Sequence, residues 1–199
     1  MTLNTERLLF MEIWLNPGIH VRELSRRLKI GIPSVKYGLN KLNKVNLIFS
    51  KLEGRNLKFF VNLKASEARS YLFQVENHRI QTILSREVRN AIYDLLKLLD
   101  TKPLITIVFG SCARGDYFPK ESDVDVLLVF DKKEDKNLAQ KASIISSRYC
   151  VRLSPVFLNW VEFGKKFYNT KDIFMKQLKE NKIIFLGLNW WLELENEST

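Results

Sequence analysis

Residues 105–130 read Ile105-Thr-Ile-Val-Phe-Gly-Ser-Cys-Ala-Arg-Gly-Asp-Tyr-Phe-Pro-Lys-Glu-Ser-Asp-Val-Asp-Val-Leu-Leu-Val-Phe130. An apolar run rich in β-branched residues ends at Gly110, and a second apolar run begins directly after Asp123. Short apolar runs bounded by glycine and polar residues are typical of buried strands. The segment therefore predicts two strands joined by a turn and a polar loop, with the chemically reactive side chains at the strand ends.

The polar residues at these strand ends predict a site for a divalent cation and an anion. Asp123 and Asp125 are two residues apart, so in a strand their carboxylates face the same side. Such a pair repels unless a cation lies between the two groups, and oxygen ligands favour Mg²⁺ or Mn²⁺. Gly110 and Ser111 offer a close backbone approach, a hydroxyl and N–H groups to a phosphate, and Arg114 adds a guanidinium.

The pattern Gly-Ser, Ala-Arg-Gly and Ser-Asp-x-Asp before an apolar strand resembles the DNA polymerase β-type nucleotidyltransferase superfamily, and in particular its minimal nucleotidyltransferases. The resemblance covers about residues 86–187, with helices expected at 86–99, 137–149 and 174–181 and further strands at 151–158 and 182–187. It implies that Asp123 and Asp125 are catalytic and hold Mg²⁺ or Mn²⁺. It also implies that Gly110, Ser111 and Arg114 bind a nucleoside triphosphate, with ATP as the expected one.

The sequence departs from this superfamily in its third carboxylate. Active members carry that acid on the following strand, where it completes the metal site and helps to activate the attacking hydroxyl. Here the strand predicted at 151–158 contains no Asp or Glu, and Ser154 stands roughly where the acid is expected. Glu162 lies beyond this strand, and Asp131 and Asp135 lie at or past the far end of the preceding one. The resemblance therefore implies that nucleotide–Mg²⁺ binding is retained and that nucleotidyl transfer is weak or absent.

The basic charge of the chain is concentrated in its first third. The chain has a formal net charge of +10, and its first 64 residues hold twelve Lys and Arg against four Asp and Glu, a net charge of +8. Such an excess predicts a polyanionic partner, nucleic acid before an anionic membrane surface. The asymmetry favours two modules with different partners.

Helix and hairpin signals follow one another in this basic segment. Apolar spacing and breakers predict helices at 5–14, 22–28 and 33–43, and two strands at 47–52 and 57–62 around a polar turn. The stretch from His20 to Leu42 and the hairpin resemble the winged helix-turn-helix family, whose second motif helix enters the major groove. The resemblance implies double-stranded DNA contacts from the helix residues Ser34, Lys36, Tyr37, Asn40 and Lys41 and from the wing residues Lys51, Arg55 and Lys58.

Other readings of these residues stay open. Winged helices also serve as protein-binding modules, so the polar face could be a solvated interaction surface. His20 is interpreted as a structural residue, because no second metal ligand accompanies it. Cys112 lacks a histidine partner and is interpreted as a small filler.

The sequence predicts an α+β chain of two domains. These are a winged helix-turn-helix DNA-binding domain at 1–64, a helical connector at 65–85, a nucleotidyltransferase-like domain with a mixed β-sheet and flanking helices at 86–192, and a polar tail at 193–199. No signal peptide and no membrane-spanning run is found, so we expect a soluble, cytoplasmic chain without a membrane partner. The two cysteines, Cys112 and Cys150, lie far apart and do not have the spacing of metal ligands. They therefore indicate neither a disulfide framework nor a zinc site.

Three functions fit these features. The first is a DNA-binding transcriptional regulator whose second domain binds a nucleoside triphosphate with Mg²⁺. The second is an enzyme that transfers a nucleoside monophosphate to a protein or RNA acceptor, as toxin–antitoxin-associated relatives do. The third is an interaction protein in which both domains are scaffolds. Winged-helix regulators commonly dimerise on two half-sites, which makes a homodimer the assembly to test.

Overall fold

The two apolar runs of residues 105–130 form neighbouring antiparallel strands in a computed structural model, which describes residues 5–119, 121–132 and 136–197. Residues 1–4 of the predicted first domain, Asp135 and residues 198–199 of the predicted tail lie outside these ranges. The chain divides into two units, Met1–Val75 and Glu76–Thr199. Each unit has its own β-sheet, which confirms the α+β class.

The first unit contains the helices and the hairpin that the sequence predicts. Its elements are α1 (Thr5–Leu15), β1 (Ile19–His20), α2 (Val21–Leu28), α3 (Ile32–Lys44), β2 (Ile48–Glu53) and β3 (Asn56–Val61). The strands pair antiparallel in the order β1-β3-β2. His20 caps α2, because its Nδ1 accepts the backbone N–H of Glu23 at 3.1 Å. The structural interpretation of His20 is therefore confirmed.

Close packing of α1 on α3 organises the core of the first unit. Val35, Leu39 and Leu42 are buried on one side of α3, as their spacing predicts. A Cβ at Gly38 would lie 2.4 Å from Leu9 Cδ1, so α3 carries a glycine at the point where Leu9 of α1 packs against it.

The second unit is built around a four-stranded mixed sheet. Helix α4 (Ser66–Ile83) contains the boundary between the units and accounts for most of the segment predicted as a helical connector. The remaining elements are α5 (Arg86–Leu98), β4 (Ile105–Phe109), α6 (Gly110–Arg114), β5 (Val124–Phe130), α7 (Leu138–Tyr149), β6 (Leu153–Asn159), α8 (Trp160–Tyr168), α9 (Ile173–Glu180), β7 (Lys182–Leu186) and α10 (Leu188–Glu197). The strand order is β6-β5-β4-β7, and β5 and β6 are parallel while the other pairs are antiparallel.

Helices cover both faces of this sheet. Val108, Val126 and Leu128 share one core with α5 and α7. On the other face α8 contacts β5 and β6, and α10 contacts β4. A sheet covered on both faces needs apolar residues on both sides of its central strands. This is why β4 and β5 read as continuous apolar runs rather than as alternating ones.

The prediction of a polar tail at 193–199 is wrong for residues 193–197, which are the part of this segment that the structure describes. Residues 193–197 continue α10, and Leu194 is only 6% exposed. Trp191 of the same helix is fully buried and contacts the rings of Phe163 and Phe167. The prediction of a polar tail rested on the glutamates of this segment. These glutamates belong to an amphipathic helix in which Trp191 and Leu194 are buried.

Across residues 5–119, 121–132 and 136–197, every helix is too short or too polar to span a bilayer.

Gly187, between β7 and α10, provides a stability test. Its φ is +80°, and a Cβ would lie 2.0 Å from the carbonyl oxygen of Leu104. We expect Gly187→Ala to destabilise the protein by about 3 kcal/mol through backbone strain and overpacking. Gly164 in α8 is the control, because a Cβ there meets nothing within 4 Å and alanine favours a helix by about 0.5–1 kcal/mol. Urea unfolding gives the free energy of unfolding of each variant. Equal free energies of unfolding for the two variants would contradict the close approach at Gly187.

Candidate functional site

The predicted carboxylate pair lies where β4 ends and β5 begins. Phe109 at the end of β4 pairs with Asp125 in β5, and Asp125 pairs with Ser154 in β6. Residues paired across neighbouring strands point to the same side of a sheet, so these three side chains share one face. Asp123 precedes β5 by one residue and lies two residues before Asp125, at the same end.

Gly110 allows the Asp125 carboxylate to lie directly against the turn after β4. The φ of Gly110 is +68°, and a Cβ on this residue would lie 2.4 Å from Asp125 Oδ2. Both the backbone conformation and the contact therefore require glycine. In the structure the space beside Gly110 accommodates Asp125, a use that sequence reasoning did not foresee. The close approach of a phosphate to Gly110 stays a prediction.

Ser111 and Arg114 lie on the short helix α6 that follows this turn. The Ser111 carbonyl accepts the backbone N–H of Asp116 at 3.0 Å, and Gly115 ends the helix with a φ of +84°. Ser111 is half-buried beside Gly110. Arg114 is exposed, and its Nε lies 3.2 Å from Asp116 Oδ2, so it forms an ion pair with Asp116.

Burial distinguishes Asp125 from a surface carboxylate. Asp125 is half-buried, and this burial raises the pKa of its carboxyl above the usual value, with a further increase from the nearby charge of Asp123. Burial also raises the pKa of the Cys112 thiol to about 11. Cys112 is 2% exposed and stays protonated at neutral pH, which agrees with its interpretation as a filler rather than a nucleophile.

Asp123 forms an ion pair that the sequence analysis missed. Arg152 Nε lies 2.8 Å from Asp123 Oδ1, and Arg152 Nη2 donates to the carbonyl oxygen of Glu121 at 2.6 Å. The backbone N–H of Val124 also donates to the Arg152 carbonyl at 2.7 Å. The pair follows from the register of the parallel strands β5 and β6, and the sequence does not reveal this register.

The structure places Ser154, rather than an acid, beside Asp125. Glu162 has a capping role at the start of α8, where its Oε2 accepts the Asn159 N–H at 3.2 Å and Asn159 Oδ1 accepts the Glu162 N–H at 2.9 Å. Asp131 follows the last residue of β5, at the opposite end from Asp123. In the described ranges no group of three or more His, Cys, Asp or Glu residues is arranged to hold a metal ion.

The two carboxylates nevertheless fit a particular kind of cation site. Mg²⁺ is commonly bound by one or two carboxylates and completes its shell with water and substrate phosphates. The half-buried Asp125 against Gly110, together with Asp123 at the same strand end, supplies such a donor set. Two carboxylates leave most of the coordination shell of Mg²⁺ unfilled. They therefore fit a cation that arrives with a phosphate ligand better than a cation that is held by protein ligands alone.

The residues predicted to face DNA lie on exposed parts of the first unit. Those exposed are Ser34, Lys36, Tyr37, Asn40 and Lys41 on α3 and Lys51 and Arg55 on the hairpin, while Lys58 is half-buried. Lys41 Nζ lies 2.9 Å from Glu6 Oε1 and 4.5 Å from the centre of the Tyr37 ring. Lys58 Nζ lies 2.5 Å from Glu53 Oε2, and Lys58 pairs across the strands with Lys51. Lys41 and Lys58 are thus already ion-paired.

Comparison with known proteins identifies the class of the second unit. Residues 85–185 match the nucleotidyltransferase domain family, and the chain belongs to that family. A Methanocaldococcus jannaschii protein, named as a protein adenylyltransferase, is 40% identical over 67 residues, which cover 32% of this chain and 67% of that protein. No solved structure matches the chain.

Proposed function

We propose that this chain binds a nucleoside triphosphate, expected to be ATP, together with Mg²⁺ and transfers the nucleoside monophosphate to a protein acceptor. The observation that carries the proposal is the contact of the Asp125 carboxylate with the Gly110 turn, with Asp123 at the same strand end. Membership of the nucleotidyltransferase domain family and the name of the M. jannaschii relative support this reaction class.

Each predicted site residue has a physical task in this proposal. Asp123 and Asp125 would hold Mg²⁺ or Mn²⁺, which, when bound, neutralises phosphate charge and orients the triphosphate. Ser111, the residue after Gly110, would offer its hydroxyl to a phosphate. Arg114 can turn towards a phosphate at little cost, because an exposed ion pair such as that with Asp116 contributes about 0–1 kcal/mol.

The position of Ser154 limits the proposed rate. Proton removal from an attacking hydroxyl by a positioned base contributes about 10²–10⁴ in rate. A serine hydroxyl beside Asp125 is a far weaker base than a carboxylate at that position. We therefore expect slow transfer together with ordinary nucleotide binding.

A second function, DNA binding by the first unit, has its own support. The first unit contains three helices followed by a hairpin, the order of elements on which the resemblance to the winged helix-turn-helix family rests. The net charge of +8 in residues 1–64 and the exposed polar face of α3 suit a phosphate backbone. In this proposal the chain is a transcriptional regulator, with a bound nucleotide influencing DNA binding and a homodimer as the assembly on two half-sites.

Nucleotide binding is tested with two glycines of similar backbone conformation. Gly110→Ala should abolish ATP binding with Mg²⁺, because the new Cβ would displace the Asp125 carboxylate. Gly115→Ala is the control, since its φ of +84° imposes comparable strain while a Cβ meets nothing within 4 Å. Isothermal titration, with thermal unfolding of both variants, provides the measurement. Equal ATP affinity in the two variants would contradict the proposed role of the Gly110–Asp125 contact.

The slow rate is tested by restoring an acid next to Asp125. We expect Ser154→Asp to increase labelling by radioactive ATP about 10²-fold or more, since it supplies the missing base. Adding Asp125→Asn should remove the gain, and Ser154→Asn is the uncharged control. Candidate proteins and RNAs serve as acceptors, so that labelled RNA would replace the protein acceptor in the proposal. Rapid transfer by the unmodified chain would contradict a limit set by Ser154.

DNA binding is tested in the full chain by its dependence on salt. Replacing Lys36 and Arg55 by alanine should weaken binding to duplex DNA and reduce the slope of log K against log salt by about 2, one for each lost phosphate contact. Lys97 and Lys171, exposed lysines of the second unit, give the matched double-alanine control. An unchanged slope in the first variant would show that α3 and the hairpin do not contact phosphates.

A further inference from the structure

Arg152 lies beside Asp123 of the carboxylate pair and has no role in the function proposed so far. It lies one residue before β6, and the pairing of Val124 with Leu153 brings it next to Asp123. Its Nε is 2.8 Å from Asp123 Oδ1, and its Nη2 is 2.6 Å from the Glu121 carbonyl oxygen. One guanidinium therefore links Asp123 to the loop that leads into β5.

The pair between Arg152 and Asp123 is exposed to solvent. The side chains are 60% and 53% exposed, respectively. Ion pairs at such positions contribute little net stability and exchange readily for other partners. A stable structural tie is normally more buried, so the exposure points to a contact that can be replaced during binding.

Arg152 and a divalent cation compete for the same carboxylate. A cation shared by Asp123 and Asp125 needs oxygens of Asp123, and the guanidinium occupies one of them. A guanidinium released from a carboxylate is well suited to phosphate, because its planar set of N–H donors matches two phosphate oxygens. The incoming triphosphate brings such oxygens to this strand end if the proposed function is correct.

We propose that Arg152 is a resident counter-ion of Asp123 that keeps free divalent cations out of the site and moves to a phosphate when the metal–nucleotide complex binds. The metal and the nucleotide then bind together, rather than the metal first. Arg152 thereby acts as a nucleotide-binding and selectivity residue, with no covalent step of its own. This inference rests on the proposed nucleotide site.

The test compares the binding of Mn²⁺ alone with the binding of ATP plus Mn²⁺. In Arg152→Ala, we expect Mn²⁺ alone to bind up to about fivefold more tightly, since Asp123 is freed from an exposed ion pair. ATP with Mn²⁺ should bind about tenfold or more weakly, because a charge-assisted hydrogen bond to phosphate is lost. Electron paramagnetic resonance of free Mn²⁺ and isothermal titration with ATP give the two affinities in the full chain.

Two further variants make the result specific. Arg152→Lys keeps the charge and should leave the affinity for Mn²⁺ alone near that of the wild type. Arg148→Ala removes an exposed arginine that pairs with Asp94 of α5 and should change neither affinity.

Opposite shifts of the two affinities in Arg152→Ala support the inference. An unchanged affinity for Mn²⁺ alone, with or without weaker ATP binding, overturns it, and so do two affinities that fall together, as expected for a structural tie. The proposed function stands in these cases if the wild type binds ATP with Mn²⁺. A wild-type chain that fails to bind ATP with Mn²⁺ overturns both the proposed function and the inference.

Discussion

The contact between Gly110 and Asp125 is the constraint on which the site depends. The Asp125 Oδ2 atom occupies the space that a side chain at residue 110 would fill, only 2.4 Å from the Cβ position. The left-handed backbone at Gly110 turns the chain from β4 into α6 at the point where Phe109 pairs with Asp125. The same turn thereby ends a strand, begins a helix and half-buries a carboxylate.

Two acidic residues separated by one position meet different environments because of this contact. Asp125 loses solvent against the turn, and this burial raises the pKa of its carboxyl. Asp123 precedes β5, stays more than half exposed and pairs with Arg152. Asp125 is therefore shielded from solvent, while Asp123 already has a positive partner in Arg152. These two environments are the basis of the proposed site for a cation that arrives with a phosphate ligand.

The rest of the second unit supports this strand end from both faces. The apolar runs of β4 and β5 are buried on one side by α5 and α7 and on the other by α8 and α10.

These runs, and the helices and strands predicted around them, were recognisable in the sequence because periodicity and breakers are local signals. Helices α8 and α10 were not predicted, and the domain boundary predicted at residue 192 falls inside α10. Both helices mix charged residues with apolar ones, and only packing against the sheet shows which side is buried.

The sequence by itself determined the types of most elements, the Gly-Ser and Asp-x-Asp motifs, the uneven charge and the absence of an acid in the strand that contains Ser154. These features depend on residue type and short spacing, which act within one element. The tertiary structure decided which residues meet across elements: Ser154 beside Asp125, Arg152 beside Asp123, and Lys41 beside Glu6. Strand register and helix packing set these contacts over long chain separations, because burying the shared cores selects one alignment among many that local preference allows.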